Sequence, residues 1–144
     1  MGCKVVFLNL EKLNDDVKNL GHWVLGDART LPFRESIFTQ VIASHVIEHL
    51  EDPLKFLGEC RRILKAGGSL DIYTPNFTSK NALTDPDHRN VFNILAFLRI
   101  ARKTGFKVRF PIHVGTRLPS NLQRILNLAI NMLLDEIHVK LIKL

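Results

Sequence analysis

Apolar runs of strand length alternate with segments of helical periodicity along this chain, and that alternation limits its fold more than any other feature. The pattern is typical of an α/β domain with a largely parallel sheet. Six strands are predicted. The fifth is expected at an edge, because apolar residues alternate with Lys107 and Arg109 before Pro111 ends the run. The six strands are predicted at residues 4–10, 23–25, 41–44, 70–74, 106–110 and 137–141.

Three helices are predicted between these strands from apolar stripes and end signals. For the first, Asp52 is the expected N-cap, Pro53 suits the first turn and Gly67 is expected to close the end. The second is predicted from about residue 89 to 104, with Gly105 ending it. A third is expected to start after Ser120, a capping residue.

Length and composition favour one cytoplasmic domain over residues 1–144. A chain of 144 residues can bury a single core. Two cysteines make a disulfide framework implausible, and they form no Cys-x-x-Cys pair. No stretch approaches the roughly 20 apolar residues of a membrane span, and the start lacks the pattern of a secretion signal, so no membrane association is expected.

Positive charge is concentrated in the C-terminal half. The formal net charge is +6, and the segment 88–134 contains eight Lys or Arg and no Asp or Glu. A nucleic-acid partner is disfavoured because no aromatic residues are interleaved with these bases, and a scattered solvated face is the simpler interpretation. The eight basic residues are Arg89, Arg99, Arg102, Lys103, Lys107, Arg109, Arg117 and Arg124.

A series of short motifs fills the centre of the chain, and together they are far more specific than any one alone. They are Asp27-Ala28 before Leu31-Pro32-Phe33, Ser44-His45, Glu48-His49-Leu50, Asp52-Pro53, Leu64-Lys65-Ala66-Gly67-Gly68, Thr74-Pro75-Asn76, and Asp87-His88 ahead of Phe92. On these motifs the chain resembles a class I S-adenosylmethionine-dependent methyltransferase of the small-molecule type, matched from the family's second strand to the end.

The resemblance implies a Rossmann-like sheet, mostly parallel with an antiparallel C-terminal strand, and S-adenosylmethionine as the cofactor. In such sheets ligands bind outside the carboxyl ends of the strands. The family has an acid after its second strand that holds the ribose hydroxyls, and Glu11 or Asn9 is the corresponding candidate here.

The resemblance also assigns the adenine and methionine sides of the cofactor. Asp27 would accept from the adenine amine, the backbone amide of Ala28 would meet the ring, and Ser44 and His45 would line the methionine arm. The alternative for Asp27 is a turn or cap carboxylate that satisfies nearby backbone amides.

Three histidines are candidates for a catalytic base. Methyl transfer needs mainly alignment of the acceptor with the methyl group, so a base is optional. If the acceptor is a hydroxyl or an amine, a neutral imidazole could take its proton, and His45, His49 or His88 are the candidates. His88 could equally be a surface or capping residue near a helix start.

The run from His45 to His49 also matches the His-x-x-Glu-His pattern of one zinc peptidase class. That class needs the pattern inside a sustained helix, whereas here a strand leads into it and Asp52-Pro53 starts a new helix soon after. The match is therefore interpreted as chance, and no metal site is predicted.

The family's first strand and its Gly-x-Gly turn have no counterpart in the sequence, so an N-terminally shortened sheet is expected. Either the family's second and fourth strands pair directly, or the strand at 4–10 takes the central place. Exposed backbone groups would then need closure, a homodimer or a partner chain. The predicted function is methyl transfer to a small-molecule acceptor. The alternative is a methyltransferase-like binding or assembly module without catalysis.

Overall fold

The protein is described by a computed structural model that covers residues 5–9, 22–109 and 136–144. All six predicted strands are present in this part of the chain. In chain order the elements are β1 (Val6–Asn9), β2 (His22–Leu25), β3 (Phe38–Ser44), a 3₁₀ helix (Ile47–His49), α1 (Pro53–Ile63), β4 (Leu64–Pro75), α2 (Lys80–Thr84), α3 (Ile94–Thr104), β5 (Phe106–Arg109) and β6 (Glu136–Lys143).

The strands form two sheets. β1 and β2 make a parallel pair, and the four-stranded sheet has the order β3-β4-β6-β5. β3 is parallel to β4, while β6 runs antiparallel to both β4 and β5. The C-terminal strand is antiparallel, as the resemblance implies, and the parallel pairs are β1–β2 and β3–β4. β5 is the edge strand that its alternating pattern predicts.

The two sheets are not joined by a ladder within the described residues. β1 pairs with β2 and β3 pairs with β4, and no pairing of β1 with β3 is observed there. Both arrangements suggested by the sequence, direct pairing of these strands or a central strand at 4–10, are therefore wrong for this structure. Alternation and apolar content predict strands, but they do not specify which edges pair.

One hydrophobic core lies between the four-stranded sheet and the helices α1 and α3. Successive strand residues point to opposite faces, so alternate positions of β3, β4 and β6 contribute to it. Apolar residues of the two helices complete the same cluster. Its strand members include Ala43, Leu70, Ile72, Ile137, Val139 and Leu141, and its helix members include Phe56, Leu57, Cys60, Ile63, Phe97 and Ala101.

The start of α1 is as predicted, but its end is not. The Asp52 side chain accepts a hydrogen bond from the backbone N–H of Lys55, and Pro53 occupies the first turn. The helix ends at Ile63, four residues before Gly67. Gly67 instead has a φ of 73° inside β4, in a bulge where register passes from Phe38–Leu64 to Gln40–Ser69. Glycine permits that left-handed backbone without strain.

The second predicted helix begins later than its apolar pattern suggests. α3 starts at Ile94, where the Asn93 side chain caps the backbone N–H of Ala96. Residues 89–92 are held out of the helix because the N–H groups of Arg89 and Asn90 both donate to the carbonyl oxygen of Glu48. Gly105, with a φ of 73°, ends α3 as expected.

Two short helices were not predicted, and some of the predictions cannot be compared with the structure. The 3₁₀ helix and α2 were not predicted, because each is too short for an apolar stripe. The expected helix after Ser120, the two end residues of the first predicted strand (Lys4 and Leu10) and the last residue of the fifth (Phe110) lie outside the described residues. Within the described part of the chain, no helix has the length and apolar character needed to cross a membrane. Cys60 is a buried free thiol.

We expect Ile72→Ala to lower the free energy of unfolding by about 2–5 kcal/mol, because a fully buried β4 side chain would leave a cavity. Ile42→Ala, in the adjacent strand, is the matched control, since Ile42 is 64% exposed and its loss should cost less than about 1 kcal/mol. Urea denaturation of both variants measures the difference. Equal losses would contradict the core assigned here.

Candidate functional site

The loops at the carboxyl ends of the strands are connected by a chain of charged side chains. Arg29, in the loop after β2, pairs with Asp27 at 2.7 Å and approaches Glu51 at 3.8 Å. Glu51 in turn pairs with Arg89 at 2.7 Å. These contacts join the loop after β2, the segment before α1 and the loop before α3. The three segments therefore share one edge of the sheet, where α/β folds bind ligands.

Asp27 is a carboxylate with both oxygens engaged by Arg29. Oδ1 accepts from the backbone N–H of Arg29 at 2.8 Å and from its Nε at 3.1 Å, and Oδ2 accepts from Nη2 at 2.7 Å. These side-chain hydrogen bonds lower the pKa of Asp27 to about 2. The turn role considered from sequence is thus present in the structure, and Asp27 is an ionised acceptor.

A partly buried ion pair on α1 holds the segment that follows Asp27 and Ala28. Glu59 Oε2 accepts from the backbone N–H of Leu31, and Arg62 donates to the carbonyl oxygens of Leu31 and Phe33. Arg62 also hydrogen-bonds Glu59 at 2.7 Å, and this bond is the main cause of the lowered pKa of Glu59. The Leu-Pro-Phe motif is therefore tied to α1 through backbone groups.

His45 lies directly after β3 between two carboxylates. Its backbone has a φ of 51° and its N–H donates to the carbonyl oxygen of Tyr73. Its Nδ1 is 3.2 Å from Glu48 Oε1, and its Nε2 is 3.0 Å from Glu136 Oε1. The ring is about half exposed. A proton on this imidazole would have a carboxylate partner on each side.

Glu48 is buried and lies close to the other two candidate histidines, His49 and His88. Its Oε2 accepts from Thr74 Oγ1 at 3.1 Å. One ligand atom from each of Glu48, His49 and His88 lies within 4.8 Å of the others. The rings of His49 and His88 meet edge to face, with centroids 4.9 Å apart. His45 precedes the 3₁₀ helix Ile47–His49 and His49 is its last residue, so the sustained helix of a zinc peptidase is not formed here.

The other predicted cofactor residues lie at the same edge, apart from one. Asn9 ends β1, and its carbonyl oxygen accepts from the N–H of Gly26, which places it beside the Asp27 loop. Ala28 is buried, and Ser44 is exposed at the end of β3. Glu11 lies outside the described residues. Among the basic residues singled out from sequence, Arg89 is paired with Glu51, and Arg117 and Arg124 lie outside the described part.

Asp71 is a buried acid that the sequence analysis missed. Burial raises its pKa, but hydrogen bonds from Gln40 and His138 and the charge of Lys140 outweigh that effect, so the net shift is downward. The contacts are 2.9 Å to Gln40, 3.1 Å to His138 and 3.4 Å to Lys140. An acid inside the apolar run from Leu70 to Ile72 was the available signal, since buried carboxylates need partners.

The fold defines the class of this protein: it is an α/β domain whose candidate site lies at the carboxyl ends of the strands. A family model described as a methyltransferase domain matches residues 2–72. The crystal structure of a SAM-dependent methyltransferase from Archaeoglobus fulgidus superposes with a TM-score of 0.64 at 20% identity, covering 96% of this chain and 75% of that one. This likeness shows the Rossmann-like fold.

Curated relatives agree with the family match. A Mycolicibacterium smegmatis protein named "Probable S-adenosylmethionine-dependent methyltransferase" is 30% identical over 87 residues, 58% of this chain and 34% of its own length. A Demethylmenaquinone methyltransferase from Thermotoga maritima is 35% identical over 66 residues, 42% of this chain and 29% of its length. Over this part of its length the chain is similar to S-adenosylmethionine-dependent methyltransferases, whose cofactor is S-adenosylmethionine. It spans about a third or less of these relatives' length.

We expect Arg62→Ala to lower the free energy of unfolding near neutral pH by more than Arg34→Ala does, because two carbonyl oxygens lose a donor and Glu59 loses its ion-pair partner. Urea denaturation measures the free energy of unfolding. Arg34→Ala is the control, because Arg34 is exposed in the loop that contains Leu31 and Phe33.

The same variant gives a pH test of the Glu59 ion pair. Because the pKa of Glu59 is lowered in the fold, its stabilisation is complete above the pKa of the unfolded chain and is lost as pH falls through the folded value. The stability gap between the unmodified chain and Arg62→Ala should therefore narrow in acid. A gap that stays constant down to acidic pH would count against the assigned contact.

Proposed function

We propose that this chain forms the cofactor-binding domain of an S-adenosylmethionine-dependent methyltransferase that acts on a small-molecule acceptor. The observation that carries the proposal is the connected carboxyl edge, where Asp27, Arg29, Glu51 and Arg89 join the loops after β2, β3 and β4. The family match supports the cofactor. The Thermotoga maritima relative is named for a small-molecule substrate, which supports that class of acceptor.

The chemistry of this edge fits the adenosine part of the cofactor. Asp27 is ionised over the whole neutral range, so it can accept from the adenine amine, and hydrogen bonds to charged acceptors are the strong ones. Asn9 neighbours the same loop through its bond to Gly26, and we assign it, with Glu11, to the ribose hydroxyls. The amide of Ala28 belongs to this adenine side.

We assign the methionine arm of the cofactor and the acceptor of the methyl group to the loop after β3. Ser44 offers an exposed hydroxyl and His45 an imidazole between Glu48 and Glu136. The bound cofactor supplies an activated methyl group, so the protein has to position the acceptor and accept its proton. We assign that proton to His45, because its half-exposed ring lies directly after Ser44 and its two nitrogens face Glu48 and Glu136. His49 and His88, the other two candidate bases, lie beside Glu48.

We expect Asp27→Ala to weaken binding of S-adenosylhomocysteine to the full chain by about tenfold or more, because the charged acceptor for the adenine amine is lost. Isothermal calorimetry measures the affinity. Glu35→Ala, which removes an exposed acid nearby in sequence, should leave the affinity unchanged. Arg29→Ala should retain binding, because it removes a competitor for the carboxylate and not the acceptor.

Two outcomes of this titration would reject parts of the proposal. If the folded, unmodified chain gives no heat with millimolar S-adenosylhomocysteine, cofactor binding by this chain alone is wrong. If it binds and Asp27→Ala binds equally well, the adenine assignment is wrong while the family function stands.

A further inference from the structure

The buried carboxylate Glu48 has an oxygen without a hydrogen bond. Its side chain is 2% exposed, and Oε2 accepts from Thr74, but Oε1 accepts no hydrogen bond from any residue that the structure describes. His45 Nδ1 lies 3.2 Å from this oxygen, but no hydrogen bond joins the two atoms. A buried carboxylate with an unsatisfied oxygen is costly, and a cation removes the cost.

His49 has a ring nitrogen left for a ligand bond. Its Nδ1 lies 3.1 Å from the backbone oxygen of Asp87. A carbonyl oxygen only accepts, so Nδ1 carries the hydrogen in this contact and Nε2 keeps a lone pair. An imidazole whose second nitrogen donates to a backbone carbonyl is the usual state of a metal-bound histidine.

His88 has a similar arrangement with a carboxylate. Its side chain is 6% exposed, and its Nε2 is 3.5 Å from Asp85 Oδ2. A carboxylate beside one ring nitrogen orients the imidazole and leaves the other nitrogen for a ligand bond. The sequence places His88 far from the Glu48-His49 pair. The bonds from the N–H groups of Arg89 and Asn90 to the Glu48 carbonyl bring it there.

We propose that Glu48, His49 and His88 bind a divalent transition-metal ion. Their ligand atoms lie within 4.8 Å of one another, which a metal can draw together with small side-chain movements. Two imidazoles and one carboxylate suit Zn²⁺ and its neighbours in the transition series, whereas Mg²⁺ and Ca²⁺ take oxygen ligands. The sequence predicts no metal site because the peptidase pattern pairs His45 with His49. The fold instead pairs His49 with His88.

This site goes beyond methyl transfer and does not depend on it. Three protein ligands leave coordination positions open, and an ion of this kind binds and polarises an oxygen atom of a second molecule. Glu48 and His49 follow the carboxyl end of β3, and His88 follows β4, so the ion would lie at the edge assigned to the cofactor and acceptor. Metal binding can be measured without either of them.

The test is calorimetric titration of the metal-free full chain with Zn²⁺. We expect one ion per chain. His49→Ala, His88→Ala and Glu48→Gln should each weaken its affinity by more than about tenfold, the loss that even outer-shell partners of metal ligands can cause. His22→Ala, an exposed histidine of β2, and Cys3→Ser, which removes a thiol able to bind zinc, are controls that should bind as before.

A second measurement separates metal loss from unfolding. Zn²⁺ should raise the melting temperature of the unmodified chain and of His22→Ala, but not that of His49→Ala, whose exposed ring can be removed without loss of the fold seen by circular dichroism. No saturable Zn²⁺ binding by the unmodified chain would overturn the proposal. Unchanged affinity in the three cluster variants, or loss in Cys3→Ser alone, would overturn it as well.

Discussion

The arrangement of the loops at the carboxyl ends of the strands depends on the hydrogen bonds of one buried residue, Glu48. Its side chain accepts from Thr74 at the end of β4, and its backbone oxygen accepts from Arg89 and Asn90 ahead of α3. One residue after β3 thus fixes two other segments of the chain. A buried carboxylate without hydrogen-bond partners costs free energy. Arrangements of these segments that supply the partners of Glu48 are therefore favoured over arrangements that do not.

Ion pairs fix the positions of the loops around Asp27 at the same edge of the sheet. Arg29 joins Asp27 to Glu51, and Glu51 joins Arg89, while Glu59 and Arg62 hold the backbone after Ala28 from α1. Exposed pairs of this kind add little stability each, but a connected set defines the positions of loops. The partly buried Glu59–Arg62 pair differs because it satisfies backbone groups that would otherwise lack partners.

Local signals in the sequence predicted the framework well. The Asp52 cap, Pro53 and Gly105 act within a few residues of themselves, and they mark element ends as expected. Where a distant group competes with local preference, prediction failed. Gly67 lies in a bulge set by pairing with β3, and α3 starts late because Glu48 holds the residues before it. Among candidate site residues, the position of Asp27 at a strand end was predictable, but its partner Arg29 was not.

By itself, the sequence determined the α/β class, the places of six strands along the chain, the resemblance to methyltransferases and the positions of Asp27 and His45 after their strands. These follow from periodicity, caps and contiguous motifs, whose physics acts over a few residues. Only the tertiary structure decided that β1 and β3 do not pair in the described chain, that Asp71 is partnered, and that Glu48, His49 and His88 meet. Those outcomes depend on hydrogen bonds between residues far apart in sequence, which no local pattern encodes.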